Sequence, residues 1–351
     1  MHSKRPVENI LVSSTRQWNP GDEFIWFGVR RLFEASFKPP FNYLLWNRNP
    51  DVFIDGWANA QIKPRLYSNC LVKPAIDLID RVVLAGSPEW LGPPLIDVYR
   101  SLLIHKEVPL YAIGVGSGQA EVFRNDAEHE VLSRENSIVI CRQKSLRDNL
   151  ISEGVKKVFA LPCPALFSAA SFKDCASLED KKGKIGLIVQ SDAVPNQAVP
   201  ASVYESCKNL LRSSQIKDYE THLICFYTDE FLKFSRLYPD MPVRYVYQSE
   251  DYEKILLDYD VIISTRLHGA IHALSMGIPS ALVSQGNFRV EATAAMFEEL
   301  LPVFPNFEDA YGWAAEQQRK CTFAEFAGKI ARFKAKVFDQ YQALLGAEAK
   351  R

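Results

Sequence analysis

The sequence holds no Cys-x-x-Cys pair, no apolar run long enough for a membrane helix, and almost no net charge. Its seven cysteines (Cys70, Cys141, Cys163, Cys175, Cys207, Cys225 and Cys321) are odd in number and irregularly spaced. That pattern argues against a disulfide framework and for reduced thiols in an intracellular protein. Cys141 and Cys225 end apolar runs and read as small core residues. Nothing approaches the roughly 18 consecutive apolar residues of a membrane span. Lys4 and Arg5 near the start are followed by Glu8 and Asn9 rather than by an apolar leader core. A cytoplasmic protein without a membrane span is the expectation. A formal net charge of −1 supplies no general attraction for nucleic acid or an anionic membrane, so any anion affinity must come from locally placed Arg and His. The Walker A lysine motif and the Gly-x-Ser-x-Gly nucleophile elbow are both missing.

What is present is an ordinary globular composition, 47% hydrophobic and 24% charged, over 351 residues, which is room for two domains. Short apolar runs alternate with helical segments. Strands are expected at Ile10–Val12, Tyr43–Trp46, Val82–Ala85, Pro109–Ile113, Ser137–Cys141 and Val158–Leu161. Helices are expected after Asp22, over Pro94–His105 and over Ser145–Ser152. The composition turns polar between Ser171 and Gly183, and the alternation then restarts with Ile185–Val189, His222–Phe226, Val243–Tyr247, Val261–Ile263 and Ala281–Val283 as strands. The intervening helices are expected at Ser202–Leu211, Asp229–Leu237, Tyr252–Leu257, Ala270–Met276 and about Glu291–Leu301. This spacing predicts α/β architecture with two Rossmann-like doubly wound domains, residues 1–175 and 184–322, facing a cleft. An amphipathic helix within 323–351, carrying Phe326, Ile330, Phe333, Val337, Tyr341 and Leu344, is free to pack on either one.

The most informative stretch is Tyr259–Ser284. The apolar run Val261–Ile263 breaks at Ser264 and Thr265, a helix follows, and Gly277 with Pro279 ends it before the next apolar run. Arg266 and His268 therefore stand where a parallel strand hands over to a helix, the rim at which open α/β sheets bind ligands. Helix-start N–H groups and the helix dipole favour an anion there. Arg offers a fork that fits carboxylate or phosphate, and His can exchange a proton. The bland alternative is that Arg266 pairs with a core carboxylate and His268 only begins a helix. His272 lies one turn beyond His268, but Gly269 stands where a zinc protease needs Glu, so no metal is expected and His272 reads as a packed supporting residue. Arg142 after a strand and Arg289 after another are further rim cations, each with a plain surface reading beside it. Asn19-Pro20-Gly21-Asp22 reads as a turn in which Asp22 caps a helix. Gly114-x-Gly116-x-Gly118 departs from the dinucleotide fingerprint and is expected to form a tight turn at the cleft.

Residues Ile263-Ser264-Thr265-Arg266-Leu267-His268-Gly269-Ala270-Ile271-His272-Ala273-Leu274, running to Gly277-Ile278-Pro279, resemble the signature of the polysaccharide pyruvyl transferase family. Asn19-x-Gly21-Asp22-Glu23 is similar to that family's opening motif, and Arg142 with Ser145 and Leu150 to its central segment. The sequence departs from the family pattern at Ala85-Gly86-Ser87-Pro88, where a glycine run is usual, and at Gln143, where Asp is common. The family also has Lys near the position of Arg289. The resemblance implies a glycosyltransferase-B-like arrangement with the acceptor on the first domain and the donor on the second. It implies transfer of pyruvate from phosphoenolpyruvate onto a sugar diol as a ketal, the saccharide being lipid-linked or free, with no metal or nucleotide cofactor. On that reading His268 is the acid and Asp22 the base, while Arg266, Leu267, Arg142, Arg289, Asn19 and Gly21 bind substrate. Two other readings stay open: a nucleotide-sugar glycosyltransferase of the same layout, and a non-catalytic anion-binding relative.

Overall fold

A computed structural model describes residues 7–14, 19–38, 40–47, 78–86, 103, 107–117, 126–172, 183–190, 199–213, 216, 218–320 and 323–349. The helix expected over Pro94–His105 apart from Leu103, Ser87-Pro88, Gly118, most of the polar stretch between Ser171 and Gly183, and Cys70, Cys175 and Cys321 lie outside the described residues. Two six-stranded parallel sheets organise the chain. The first comprises β1 (Glu8–Ser14), β2 (Phe41–Asn47), β3 (Arg81–Ala85), β4 (Leu110–Val115), β5 (Ser137–Cys141) and β6 (Val158–Ala160), in the order β2-β1-β3-β4-β5-β6. Its described helices are α1 (Pro20–Phe37), α2 (Asp126–Leu132) and α3 (Lys144–Ser152). The second comprises β7 (Lys184–Ile188), β8 (Glu220–Ile224), β9 (Val243–Arg244), β10 (Val261–Ser264), β11 (Ser280–Val283) and β12 (Val303–Phe304), in the order β12-β11-β10-β7-β8-β9. With it run α4 (Ala201–Arg212), α5 (Thr228–Leu237), α6 (Tyr252–Leu256), α7 (Leu267–Ser275), α8 (Phe288–Ala294) and α9 (Phe307–Lys320).

The sheet interiors explain the apolar runs. Strands covered by helices on both faces read as continuous hydrophobic segments, and every residue of β4, β5, β10 and β11 is buried. In each sheet the chain winds outward, returns and continues on the other side. The reversals fall between β1 and β3 and between β7 and β10, and a ligand crevice opens beyond the carboxyl ends of strands at such points. At the second reversal Thr265 N donates to Ile188 O at 2.9 Å, and Gln190 N donates to Thr265 Oγ1 at 2.9 Å.

The sheets are joined by a packed core as well as facing a cleft. Phe24 on α1 stacks on His272 of α7, ring centroids 3.8 Å apart, and meets Phe226 and Tyr252 edge-on at 5.9 and 6.0 Å. Full burial of such a side chain contributes about 1.5–3 kcal/mol. A 3₁₀ turn, Pro164–Phe167, packs between α1 and α7, and Ser168 Oγ lies 2.6 Å from His272 Nδ1. Gly28 permits this, since a Cβ there would lie 1.7 Å from Pro164 O.

The long terminal helix, α10 (Phe323–Ala349), holds both parts. Tyr341 Oη donates to Pro162 O at 2.9 Å and Gln342 Nε2 to Leu32 O at 3.1 Å, while Lys334 Nζ donates to Ser275 O at 2.6 Å, at the end of α7. Cys141 and Cys225 are buried core residues. Among the described residues no helix is long and apolar enough to cross a membrane.

Candidate functional site

The site is assembled at the rim where α1, the β5–α3 turn and the start of α7 converge. Asn19 is the cap of α1, its side chain accepting from Gly21 N at 3.0 Å, so the expected cap at Asp22 is corrected. The extended Asn19 backbone before Pro20 suits a cap, and Asp22 falls in the first helical turn, where its charge favours the helix dipole. Gly21 abuts His268: a Cβ on Gly21 would lie 3.0 Å from His268 Nδ1.

Arg142 is 3% exposed, directly after β5, with its backbone N donating to Val115 O at 2.8 Å. Its Nη1 donates to His268 Nε2 at 2.9 Å. A guanidinium only donates, so Nε2 is the acceptor and the ring proton sits on Nδ1, toward Gly21. Gly116 makes room for that guanidinium, since a Cβ there would lie 2.3 Å from Arg142 Nε. Gly114, at φ +78°, lies inside β4 and marks a break in its pairing with β5, a bulge within the strand where a tight turn was expected. His268 is half-buried at the start of α7. Burial first, then the Arg142 and Arg289 charges, hold its pKa well below the ordinary imidazole value, so the ring is neutral at neutral pH.

Arg289 opens α8 from the second sheet, and Gln143 Nε2 reaches its carbonyl at 3.4 Å. The same amide reads both sides of Ser117, accepting from Ser117 N at 2.9 Å and donating to Ser117 O at 3.2 Å. Gln143, where the family commonly has Asp, thus ties the β4 loop to the start of α8.

Arg266 departs from the expectation of an open anchor. It is 7% exposed and ion-paired with Glu230, which is fully buried at the start of α5. The strand-to-helix turn after β8 places that carboxylate beside the turn after β10, which the sequence spacing did not show. Leu267 is also corrected: its side chain belongs to the apolar core, and its place at the first turn of α7 is what it brings to the site. No side chain caps α7, so its dipole end faces the rim. Tyr227, unassigned in the sequence, stands over Arg266 with its ring centroid 4.6 Å from the guanidinium carbon. Burial raises its pKa to about 12, with Arg266 opposing and Asp22 adding to the shift, so Tyr227 lies within the fields of both. Its signal was an aromatic directly after a strand, too common to single out.

His272 lies away from the rim, fully buried between Phe24 and Ser168. Among the described residues no group of three metal-type side chains comes together.

The arrangement places a neutral imidazole against the Arg142 guanidinium and within the field of Arg289, at the starts of two helices, and it suits a small, multiply charged anion. Two facing Rossmann-like units define a glycosyltransferase-B-like fold. The family model for polysaccharide pyruvyl transferase matches residues 19–287. The chain belongs to that family and is a transferase of polysaccharide biosynthesis. Solved structures agree on the fold. The UDP-GlcNAc 2-epimerase from Neisseria meningitidis, bound to UDP-GlcNAc, is 10% identical with a TM-score of 0.54, over 95% of this chain and 100% of that one. The Methanocaldococcus jannaschii UDP-GlcNAc 2-epimerase, in complex with UDP-GlcNAc and UDP, is 12% identical at 0.53, over 94% and 100%. A glycotransferase of kitacinnamycin is 14% identical at 0.50, over 99% and 98%. No curated protein matches the chain significantly.

Proposed function

We propose that the chain moves pyruvate from phosphoenolpyruvate onto a sugar diol as a ketal. The observation that carries this is the contact between Arg142 and His268, with Arg289 close enough to depress the same imidazole. Phosphoenolpyruvate carries a carboxylate and a phosphate and needs at least two cations. Arg142 and Arg289 supply them, aided by the start of α7. Arg266, already paired with Glu230, contributes directed N–H groups more than net charge.

Binding of that anion changes His268. It offsets the two cations that hold the imidazole neutral and draws Arg142 onto the phosphate, which frees Nε2 to take a proton. The imidazolium then protonates C3 of the enol and makes C2 electrophilic. An acceptor hydroxyl adds to C2, the C–O bond to phosphate breaks, and a second hydroxyl closes the ketal. Of the two hydroxyl protons, one replaces that given to C3 and the other leaves with phosphate. Asp22, beside Tyr227, is the carboxylate assigned to receive a hydroxyl proton. The same reading divides the chain into residues 1–175 on the acceptor side, 184–322 on the donor side and a closing helix within 323–351. It uses no metal or nucleotide, and the acceptor is a saccharide, lipid-linked or free.

Titration calorimetry with phosphoenolpyruvate, alongside phosphate release from a panel of sugar diols, tests it. Binding at micromolar to millimolar concentration that weakens at least tenfold in Arg289→Ala is expected. Thermal stabilisation by UDP or GDP with no response to phosphoenolpyruvate would replace it with the nucleotide-sugar reading. Binding without phosphate release from any acceptor would leave a non-catalytic relative.

A further inference from the structure

Glu230 uses both of its carboxylate oxygens. Oε2 accepts from Phe226 N at 3.0 Å and Tyr227 N at 3.3 Å, closing the turn that starts α5. Oε1 accepts from Arg266 Nη2. The Arg266 guanidinium carbon also lies 4.6 Å from the Tyr227 ring centroid and 5.4 Å from that of Phe226. One edge of the guanidinium is therefore tied to a carboxylate that cannot move, and aromatic rings flank it. Its Nε is buried and has no hydrogen-bond partner. A planar fork fastened on one side, with a buried N–H left over, is oriented in advance for something at the rim.

We propose that Glu230 is a positioning residue of the transfer reaction, fixing the direction of Arg266 and cancelling its net charge so that a ligand meets its remaining N–H groups in one geometry. This rests on the phosphoenolpyruvate reading above. It explains why a fully buried carboxylate stands at a rim that otherwise attracts anions. Without it Arg266 would be a third uncompensated cation next to Arg142 and Arg289, its side chain free to choose among orientations. A ligand would then have to order the guanidinium as it bound, a cost carried by ground state and transition state alike that weakens binding of the donor.

The carboxylate chemistry separates this role from a structural one. In Glu230→Gln the amide has one acceptor atom and cannot serve both ends. The Phe226 and Tyr227 N–H groups belong to the backbone and stay in place, so the amide oxygen remains with them. The amide NH₂ then faces the Arg266 NH₂, a donor against a donor. Arg266 is released while the α5 turn stays closed. Glu230→Ala loses both contacts, and Glu230→Asp keeps both acceptors and the charge but draws them back by one methylene.

The test uses the full-length protein in three measurements: phenylglyoxal labelling of Arg266 followed by mass spectrometry, phosphoenolpyruvate titration, and steady-state phosphate release. Glu230→Gln is expected to label Arg266 at least fivefold faster and to lower kcat/KM at least tenfold, mostly through a raised KM. Glu230→Asp should fall between it and the wild type, which keeps the test decisive if the Gln variant does not fold. A structural role alone would lower Tm with labelling and kinetic constants within twofold of wild type, and that result overturns the proposal. If the wild type does not bind phosphoenolpyruvate, the donor reading fails. Arg266 labelling in Glu230→Gln then decides by itself: acceleration retains Glu230 as the group that orients Arg266, and an unchanged rate removes it.

Discussion

Arg142 and His268 are 126 residues apart and follow strands of different sheets, yet Nη1 of one lies 2.9 Å from Nε2 of the other. The contact gives each side chain its chemistry: the arginine sets the imidazole's tautomer, and its charge helps keep the ring neutral.

Arg142→Gln tests that relationship. Burial remains, but one of the two cations is gone, so the His268 pKa should rise toward the ordinary imidazole value without reaching it. Carbon-13 chemical shifts of the imidazole against pH measure this directly. An unmoved His268 titration would show that burial and Arg289 suffice. Phosphoenolpyruvate affinity should fall at least tenfold in the same variant.

Two glycine substitutions should fail differently. In Gly116→Ala the new Cβ meets the Arg142 side chain at 2.3 Å, which can swing away and lose His268. The fold should survive with a loss of about 1–3 kcal/mol, while turnover collapses. In Gly28→Ala the obstacle is the Pro164 carbonyl at 1.7 Å, which is backbone and cannot yield without separating α1 from the 3₁₀ turn. A loss of at least about 3 kcal/mol is expected there. Urea denaturation together with phosphate-release rates distinguishes the two patterns.

His272 should make the protein sensitive to acid. Burial first, then the Arg31 and Lys334 charges, push its pKa down to about 3. The folded value lies below the unfolded one of about 6.5, so the unfolded chain takes up the proton first. This contribution is intact above about pH 6.5 and is lost as pH falls toward 3, by at most about 1.4 kcal/mol per unit. Unfolding free energies at pH 7, 6 and 5 should decline in the wild type, and less steeply in His272→Gln. Equal slopes would assign the loss to other groups.

Much of this architecture was legible in the chain. Val261–Ile263, the Ser264-Thr265 break and Gly277 before Pro279 foretold β10, α7 and β11, because buried parallel strands are apolar throughout and Gly277, at φ +86°, ends a helix where other residues are strained. Boundaries were less legible. The helix begins at Leu267 rather than Ala270, since the strand's end fixes where the chain turns and overrides the weak helix propensity of Gly269. β9 stops at Arg244, short of Tyr247, at the outer edge of its sheet, where among the described residues one side has no partner strand. The α9 helix was missed although Phe307, Ala310, Tyr311 and Ala314 recur at helical spacing, because Gly312 interrupts the pattern and it follows a two-residue strand.

Local order of residue types determined that two Rossmann-like halves would form and that Arg142, Arg266, His268 and Arg289 would each stand after a strand, since hydrophobic periodicity and helix punctuation act over a few residues. Which of them would meet was decided by packing between distant segments. The stacking of Phe24 on His272 and the α10 strap bring the sheets together, and that closure put Arg142 on His268. The winding of the second sheet placed Glu230 against Arg266, a pairing between turns 36 residues apart that no local pattern encodes.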